Sequence, residues 1–245
     1  MVTIRCRDVA FQQIQAVIFD KDGTLANSEL FLSKLGQRRS HLIDAQIPGI
    51  GRSLLTAFGL TENQLNPAGM LAVGTRRESE IAVAAYVAQT GRAWVESLML
   101  AHSAFVEADR NLSRKADYTP LIDGSLKLVQ ALAAVNLKIG ILSSDITANV
   151  ADFAQKYQLA DYIQLQMGTD TAITKPDPIL FWQACELLGV APAKTLMIGD
   201  SEADIVMARA AGAAGCIGMT GGWTNPVQLT ADVAIAHFDE IQISA

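Results

Sequence analysis

The sequence predicts an α/β fold in which a parallel sheet carries helices on both faces and is interrupted after its first strand by a small all-helical domain. Three observations support this prediction. Strand-like runs alternate with helical patterns after Thr119, and one further strand-like run precedes a long helical block. In addition, 50% of the 245 residues are hydrophobic and 18% are charged, so the chain can bury a sizeable core.

The first predicted strand is Ala16–Phe19, a short apolar run of good strand formers. It is followed directly by Asp20-Lys-Asp-Gly-Thr24, a sequence of residue types that favour turns. We therefore expect a buried strand with acidic side chains at its carboxyl end.

The block from residue 27 to residue 119 has apolar residues at helical spacing and no strand-like runs. Trp94 and Phe105 belong to one such stripe and are expected to pack in a core. Ile47–Gly51 and Asn66–Gly69 contain proline and glycine, and they predict breaks between helices. The block is therefore predicted to be an inserted helical domain.

Strands and helices alternate through the remainder of the chain, which indicates a parallel sheet. The predicted strands are Leu137–Leu142, Tyr162–Gln166, Thr195–Ile198 and Gly215–Met219. The predicted helices are Leu126–Val135, Val150–Tyr157, Pro178–Leu188 and Ser201–Ala211. The resulting division places residues 1–26 and 120–245 in the α/β core and residues 27–119 in the insertion.

Charge and composition argue against several classes of partner. The net charge is -6 and the basic residues are scattered, so neither nucleic acid nor a membrane surface is an expected partner. No apolar run approaches the ~18 residues of a membrane span, and Met1–Gln15 lacks the apolar core of a signal peptide. The three scattered cysteines form no CxxC motif, which favours a reducing, cytoplasmic location.

Polar side chains follow several of the predicted strands, where ligands bind in open α/β sheets. A lysine lies in the loop Thr174–Pro178, before a predicted helix. The candidate site residues are Asp20, Asp22, Ser143, Ser144, Lys175, Asp200 and Asp204. Carboxylates, a hydroxyl group and an ammonium group at one sheet edge form a set suited to phosphate chemistry.

The carboxylates predict a Mg²⁺ site, because a hard cation relieves the repulsion between crowded acids. Mg²⁺ prefers carboxylate, water and phosphate oxygens. Asp20 and Asp200 are the expected side-chain ligands, and the backbone carbonyl of Asp22 is a further candidate.

The same residues predict a covalent mechanism of phosphoryl transfer. A carboxylate that attacks phosphorus forms an aspartyl-phosphate, and Asp20 is the candidate nucleophile. Lys175, the Ser143 hydroxyl and backbone amides around Asp22 and Ser144 would stabilise the charge on the transferred group. Asp22 is the candidate that protonates the leaving alcohol and then activates water.

Four segments together resemble the motifs of the haloacid dehalogenase-like hydrolase superfamily. Phe19-Asp-Lys-Asp-Gly-Thr-Leu25 is similar to its first motif and Leu142-Ser143 to its second. Lys175-Pro-Asp-Pro178 is similar to the third, and Gly199-Asp-Ser-Glu-Ala-Asp204 to the fourth. The four occur in family order and cover the whole α/β part of the chain.

The resemblance implies a Rossmann-like core with a small cap domain, a nucleophile at Asp20 and an acid/base at Asp22. Dehalogenase members lack the second aspartate, so Asp22 indicates phosphate chemistry. The second motif reads Ser143-Ser-Asp145 where many relatives have Thr-Asn, so either serine could face phosphate, with Ser143 favoured. The segment Leu187–Gly222 and the tail Ala231–Ile241 also resemble the branch of phosphoglycolate phosphatase and β-phosphoglucomutase. This implies a small phosphorylated metabolite as substrate, either glycolate phosphate or a sugar phosphate.

Several residues also have purely structural interpretations. Asp204 could form a capping box with Ser201, or it could support the metal or Lys175. The cap cations Arg52, Arg76 and Arg77 are either surface charges or contacts to a substrate anion.

Three alternative functions follow from the same scaffold. A phosphomutase would return the phosphoryl group to a sugar, and a catalytically idle relative would only bind its ligand. The intact acidic motifs argue against an idle protein. Phosphonate cleavage would need a cap lysine for a Schiff base, and neither Lys34 nor Lys115 has a context that suggests one.

Overall fold

The computed structural model describes residues 2–62, 64–110 and 114–244, which divide into two compact units. One unit comprises Met1–Ser28 and Thr119–Ala245, and the other comprises Glu29–Tyr118. Each unit buries apolar side chains of its own and is described by itself.

The strands and helices of both units are numbered together in chain order, and they alternate through most of the first unit. The strands are β1 (Val2–Cys6), β2 (Val9–Ile14), β3 (Ala16–Phe19), β4 (Leu60–Thr61), β5 (Gln64–Leu65), β6 (Lys138–Leu142), β7 (Leu165–Met167), β8 (Thr195–Gly199), β9 (Gly215–Met219), β10 (Val233–Ile235) and β11 (Ile241–Ser244). The helices are α1 (Glu29–Asp44), α2 (Gly51–Phe58), α3 (Met70–Val73), α4 (Arg76–Ala88), α5 (Trp94–Arg110), α6 (Ser125–Ala134), α7 (Thr147–Lys156), α8 (Pro178–Leu188) and α9 (Glu202–Ala210).

The first unit is built on a six-stranded parallel sheet with the order β10-β9-β8-β3-β6-β7. Strand β3 lies between β6 and β8, and Phe19 is in register with Ile141 on one side and Ile198 on the other. All four residues of β3 are buried, as expected for a central strand covered on both faces. The predicted α/β fold is therefore confirmed.

The two faces of this sheet bury separate apolar clusters. Val17 and Phe19 of β3 belong to one cluster, and Ala16 and Ile18 belong to the other. This division follows from strand geometry, because successive side chains point to opposite faces. Packing on both faces fixes the strand and therefore fixes the residue that follows it, Asp20.

Three features of this unit differ from the sequence prediction, the first being that the edge strand β10 of the parallel sheet was not predicted. Strand β7 begins at Leu165, whereas the pattern predicts a strand from Tyr162. The Tyr162 amide donates to the Leu159 carbonyl oxygen, so this residue forms a turn. A separate antiparallel sheet, β11-β1-β2, was not predicted; β1 and β2 pair with each other near the start of the chain, and β11 joins them from its other end.

The second unit is helical as predicted, apart from the two-residue antiparallel strands β4 and β5. Its helix α1 ends at Asp44 and α2 begins at Gly51, so the predicted break at Ile47–Gly51 is confirmed. Phe105 is buried, but the prediction that Trp94 packs in a core is wrong, because its exposed fraction is 48%. Trp94 begins α5, and the apolar stripe of that helix is buried only from Ser97 onward.

No helix in the described part of the chain combines the length and the apolar character needed to cross a membrane.

Candidate active site

The carboxyl ends of two neighbouring strands bring Asp20 and Asp200 together. Asp20 follows β3 and Asp200 follows β8, and these strands pair in parallel register. The Asp20 amide donates to the Ile198 carbonyl oxygen at 2.9 Å, which continues the ladder to the last residue before the loop. Both carboxylates are buried. Burying an aspartate is costly unless its charge has partners.

Lys175 is the buried cation of this cluster. Its Nζ donates to Asp20 Oδ1 and to Asp204 Oδ1, each at 2.6 Å. Burial alone would lower the pKa of Lys175, but Asp20 and Asp204 outweigh burial and raise it above its ordinary value. Lys175 is therefore held as an ammonium group between two carboxylates.

Asp20 itself is held in a less favourable environment for its charge. Burial raises the pKa of Asp20 to about 6, with Lys175 acting to lower it and the neighbouring Asp204 acting to raise it. The ionised carboxylate of Asp20 thus carries a desolvation cost that a second cation would offset.

Asp204 both caps helix α9 and contacts Lys175, as its two sequence interpretations proposed. Its Oδ2 accepts from the Ser201 hydroxyl at 2.6 Å and from the Ser201 amide at 3.3 Å, and the Ser201 hydroxyl accepts from the Asp204 amide. These contacts form a capping box at the start of α9. Its Oδ1 accepts from Lys175, so the residue that caps the helix also fixes the ammonium group.

Asp200 is oriented by two donors that lie far from it in the sequence. The Thr24 hydroxyl donates to Oδ1 at 2.9 Å, and the Trp223 indole Nε1 donates to Oδ2 at 2.6 Å. Burial raises the pKa of Asp200 well above its usual value, Asp20 and Asp204 raise it further, and the two hydrogen bonds lower it. Trp223 is buried, and its hydrogen bond to Asp200 was not predicted.

Close backbone approach places Trp223 beside this carboxylate. Gly23 has a φ of 85°, which favours glycine, and a Cβ there would lie 2.4 Å from Asp200 Oδ2 and from the Trp223 ring. A Cβ on Gly222 would lie 1.8 Å from the Gly23 carbonyl oxygen. Only glycine fits at these two positions while the loops after β3 and β9 remain in contact.

Three buried carboxylates are arranged so that they could hold a cation. Asp20, Asp200 and Asp204 each offer one oxygen, and these oxygens all lie within 4.8 Å of one another. An all-oxygen donor set of this kind suits Mg²⁺. The raised pKa values of Asp20 and Asp200 point the same way, because a bound cation would offset the cost of their buried charges.

Asp22 has a different set of partners from the cluster around Lys175. Lys21 Nζ donates to its Oδ2 at 2.6 Å, and the Ser28 hydroxyl donates to its Oδ1. Lys21 also forms an ion pair with Asp145 Oδ2 at 3.2 Å. Sequence patterns gave no indication of Lys21 or Ser28, because each looks like an ordinary turn residue.

The two serines after β6 differ in their environment. Ser143 is buried, and its hydroxyl accepts from the Asp145 amide at 3.1 Å, whereas Ser144 is half-buried. The Ser143 amide donates to the Met167 carbonyl oxygen, so the backbone is still part of the sheet at this point. Ser143 follows β6, which is directly adjacent to β3 in the sheet.

The three arginines singled out in the insertion are also in different environments. Arg76 donates to Glu80 Oε1 at 2.6 Å and to Asp109 Oδ2 at 3.0 Å, so its guanidinium group is part of a local ion network. Arg77 is exposed and lies 3.7 Å from Glu80, and Arg52 is exposed as well. A structural role therefore accounts for Arg76.

This fold and this cluster define a class of hydrolase. The model of the haloacid dehalogenase-like hydrolases matches residues 14–212, and the chain belongs to that family. The expected family and enzyme class are thereby confirmed.

Full-length relatives give a closer comparison. The chain is 28% identical over 244 residues to phosphoglycolate phosphatase of Yersinia pseudotuberculosis, covering 95% of this chain and 94% of the relative. It is 27% identical over 238 residues to phosphoglycolate phosphatase of Neisseria gonorrhoeae, covering 92% and 88%. These matches confirm the resemblance to phosphoglycolate phosphatases seen in the sequence.

Solved structures support the fold. A protein from Haemophilus somnus, described as a predicted phosphoglycolate phosphatase, aligns with a TM-score of 0.67 and 20% identity. The alignment covers 91% of this chain and 94% of that one.

Proposed function

We propose that this protein is a Mg²⁺-dependent phosphate monoester hydrolase that acts on a small phosphorylated metabolite through an aspartyl-phosphate on Asp20. The observation that supports this most directly is the pair of 2.6 Å contacts from Lys175 to Asp20 and Asp204, next to Asp200. A nucleophilic carboxylate, a fixed cation and a site for a metal are the parts that phosphoryl transfer needs.

Asp20 and Asp200 are the proposed side-chain ligands of Mg²⁺, with the backbone carbonyl of Asp22 as a third. Both oxygens of Asp204 already accept hydrogen bonds, from Lys175 and Ser201, so we assign it a supporting role. When bound, Mg²⁺ would supply positive charge to the phosphoryl oxygens.

In the first step an oxygen of Asp20 attacks phosphorus and the ester P–O bond breaks. Asp22 gives its proton to the departing alcohol oxygen, so the product leaves as a neutral alcohol. Lys175 and the Ser143 hydroxyl hold the phosphoryl oxygens, with backbone amides near Asp22 and Ser144 as further donors.

In the second step a water oxygen attacks the phosphorus of the aspartyl-phosphate. Asp22, now ionised, takes a proton from that water, and the bond between phosphorus and Asp20 breaks. Phosphate leaves, and both aspartates return to their starting protonation states.

The substrate proposal rests on the full-length relatives, whose names specify phosphoglycolate. We propose phosphoglycolate as the first candidate and sugar phosphates as the second. The helical unit Glu29–Tyr118 is the proposed cap domain that selects among them. Arg52 and Arg77 are its candidate contacts to a substrate anion, since the guanidinium group of Arg76 is occupied by Glu80 and Asp109.

The test is phosphate release from a panel of esters with Mg²⁺ and with EDTA. The panel contains phosphoglycolate, hexose phosphates, nucleoside monophosphates and an aryl phosphate. We expect release only with Mg²⁺ and fastest with a small metabolite ester. If none of the esters releases phosphate, the proposal is contradicted. Isomerisation of a sugar phosphate without phosphate release would favour a mutase.

The hydrogen bond from Trp223 to Asp200 leads to a prediction about metal affinity. Trp223→Phe removes the donor at 2.6 Å and keeps most of the apolar ring. We expect the Mg²⁺ concentration for half-maximal activity to rise roughly 10–100-fold, because a proposed metal ligand loses its orienting partner.

Trp182→Phe is the matched control for this change. The Trp182 indole donates to the Ala211 carbonyl oxygen at 2.9 Å, and the side chain is 47% exposed. It should leave the Mg²⁺ dependence unchanged. Equal Mg²⁺ requirements in the two variants would argue against Asp200 as a metal ligand.

A further inference from the structure

Lys21 lies between the two aspartates of the first motif, and its side chain is 1% exposed. A lysine in a turn normally keeps its ammonium group in water, and burying it is costly unless the charge is paired. Here the Nζ lies 2.6 Å from Asp22 Oδ2, 3.2 Å from Asp145 Oδ2 and 5.7 Å from the centroid of the Phe153 ring. The charge is therefore paired inside the core unit.

Asp145 is in turn fixed by the start of helix α7. Its Oδ1 accepts from the Ile146 amide at 2.9 Å and from Asn149 Nδ2 at 2.8 Å. These contacts hold one carboxylate oxygen, and the other oxygen meets Lys21. The chain of contacts Asn149–Asp145–Lys21–Asp22 therefore joins the loop after β6 to the loop after β3.

Asp22 receives donors on both oxygens, Lys21 on Oδ2 and the Ser28 hydroxyl on Oδ1. Two donors on opposite oxygens fix the plane of a carboxylate. These two contacts therefore set the direction in which the carboxyl group of Asp22 faces.

We propose that Lys21 is a positioning residue that orients the carboxyl group of Asp22 toward the leaving oxygen, and that Asp145 and Asn149 hold Lys21 in place. The proposal rests on the proposed function, in which Asp22 is the acid and base. A displacement of about 1 Å in a reacting group can cost roughly 10²-fold in rate, so this orientation has a measurable consequence.

The test compares two esters under single-turnover conditions, with Mg²⁺ and with enzyme in excess over substrate. The alkyl ester that the panel ranks first needs a proton on its leaving oxygen, whereas 2,4-dinitrophenyl phosphate releases a weakly basic phenolate without one. In Lys21→Met, alcohol release from the alkyl ester should fall roughly 10²-fold. Release of dinitrophenolate should change less than about threefold, and the KM for the alkyl ester should stay close to that of wild type, since binding groups are untouched.

Two further variants separate positioning from general damage. Asp22→Asn should give the same selective loss, to a greater extent. Lys127→Met is the matched control, because Lys127 also pairs with an aspartate, Asp239 at 2.9 Å, but both side chains are exposed. It should leave both esters at the wild-type rate.

Asp145→Asn supplies the test if Lys21→Met fails to fold. It keeps the shape of the side chain and removes the charge that holds Lys21. Asp145→Asn is expected to give the same selective loss, to a smaller extent. The double variant with Lys21→Met should lose no more than Lys21→Met alone, because the two residues act in series.

Equal losses on both esters, or no loss on either, would overturn the proposal. Additive losses in the double variant would overturn the role of Asp145. If wild-type protein hydrolyses neither ester, the proposed function fails instead. If it hydrolyses both and the variants show no selective loss, only the role of Lys21 fails.

Discussion

Asp20→Asn is expected to lower the rate of phosphate release by roughly four to six orders of magnitude, the range seen when a catalytic nucleophile is removed. The amide cannot form the covalent bond to phosphorus that the carboxylate forms. The fold should persist, because the side-chain amide oxygen of this variant can still accept from Lys175 and because the buried charge of Asp20 is removed.

The measurement is phosphate release at saturating Mg²⁺, together with thermal unfolding of each variant. Asp239→Asn is the control, since Asp239 is an exposed aspartate of the same unit that pairs with Lys127. Turnover of Asp20→Asn within about tenfold of wild type, in protein of normal melting temperature, would exclude Asp20 as the nucleophile.

Lys175→Met is expected to affect both stability and activity. It leaves Asp20 and Asp204 facing one another without the ammonium group that contacts both. Removing one partner of a buried ion pair costs about 3–5 kcal/mol of unfolding free energy. Loss of a cation that would stabilise the transferring group should lower kcat by on the order of 10²–10³-fold or more.

Urea unfolding and steady-state kinetics test these two effects separately. Lys127→Met, which breaks the exposed pair with Asp239, should change neither quantity measurably. If added Mg²⁺ restores the stability of Lys175→Met but not its kcat, the loss of activity comes from the missing ammonium group. Unchanged kcat in folded Lys175→Met would contradict the assigned role.

The fold was predictable because its pattern is local. Ala16–Phe19 is a short apolar run before turn residues, and its position in the sequence already implied a buried strand with Asp20 at its end. The pairing of β1 with β11 was missed because it spans the whole chain, with Thr3 opposite Ser244. Periodicity within one segment carries no information about such pairing.

The candidate site likewise contains residues that the sequence predicted and contacts that it did not. Asp20, Lys175 and Asp200 were identified by residue type and by their place in the sequence, and the contact between Lys175 and Asp20 spans 155 positions. Asp204 was a candidate partner of Lys175, but the other orienting partners were not identified. Thr24 reaches Asp200 across 176 positions, and Lys21 is unremarkable until its burial is known. Supporting contacts depend on side-chain packing, which residue spacing alone does not specify.

Trp94 was predicted to pack in a core, and this prediction was wrong. Its spacing matched an apolar helical stripe, yet 48% of it is exposed, because helix α5 buries its stripe only after the first turn. Helical periodicity identifies a face of a helix but not the length over which that face is covered.

The proposed mechanism requires that the phosphoryl group passes through a covalent bond to Asp20. The most direct measurement is acid quenching of the Asp22→Asn variant after mixing with 2,4-dinitrophenyl phosphate and Mg²⁺, followed by proteolysis and mass spectrometry. This variant should accumulate the intermediate, because this ester needs no proton from Asp22 in the first step and the group proposed to activate water in the second step is missing. We predict a phosphoryl group on the peptide that contains Asp20, and none when Asp20 is also replaced by asparagine. Substrate consumption with no phosphoryl group on Asp20 at any quench time would contradict the account.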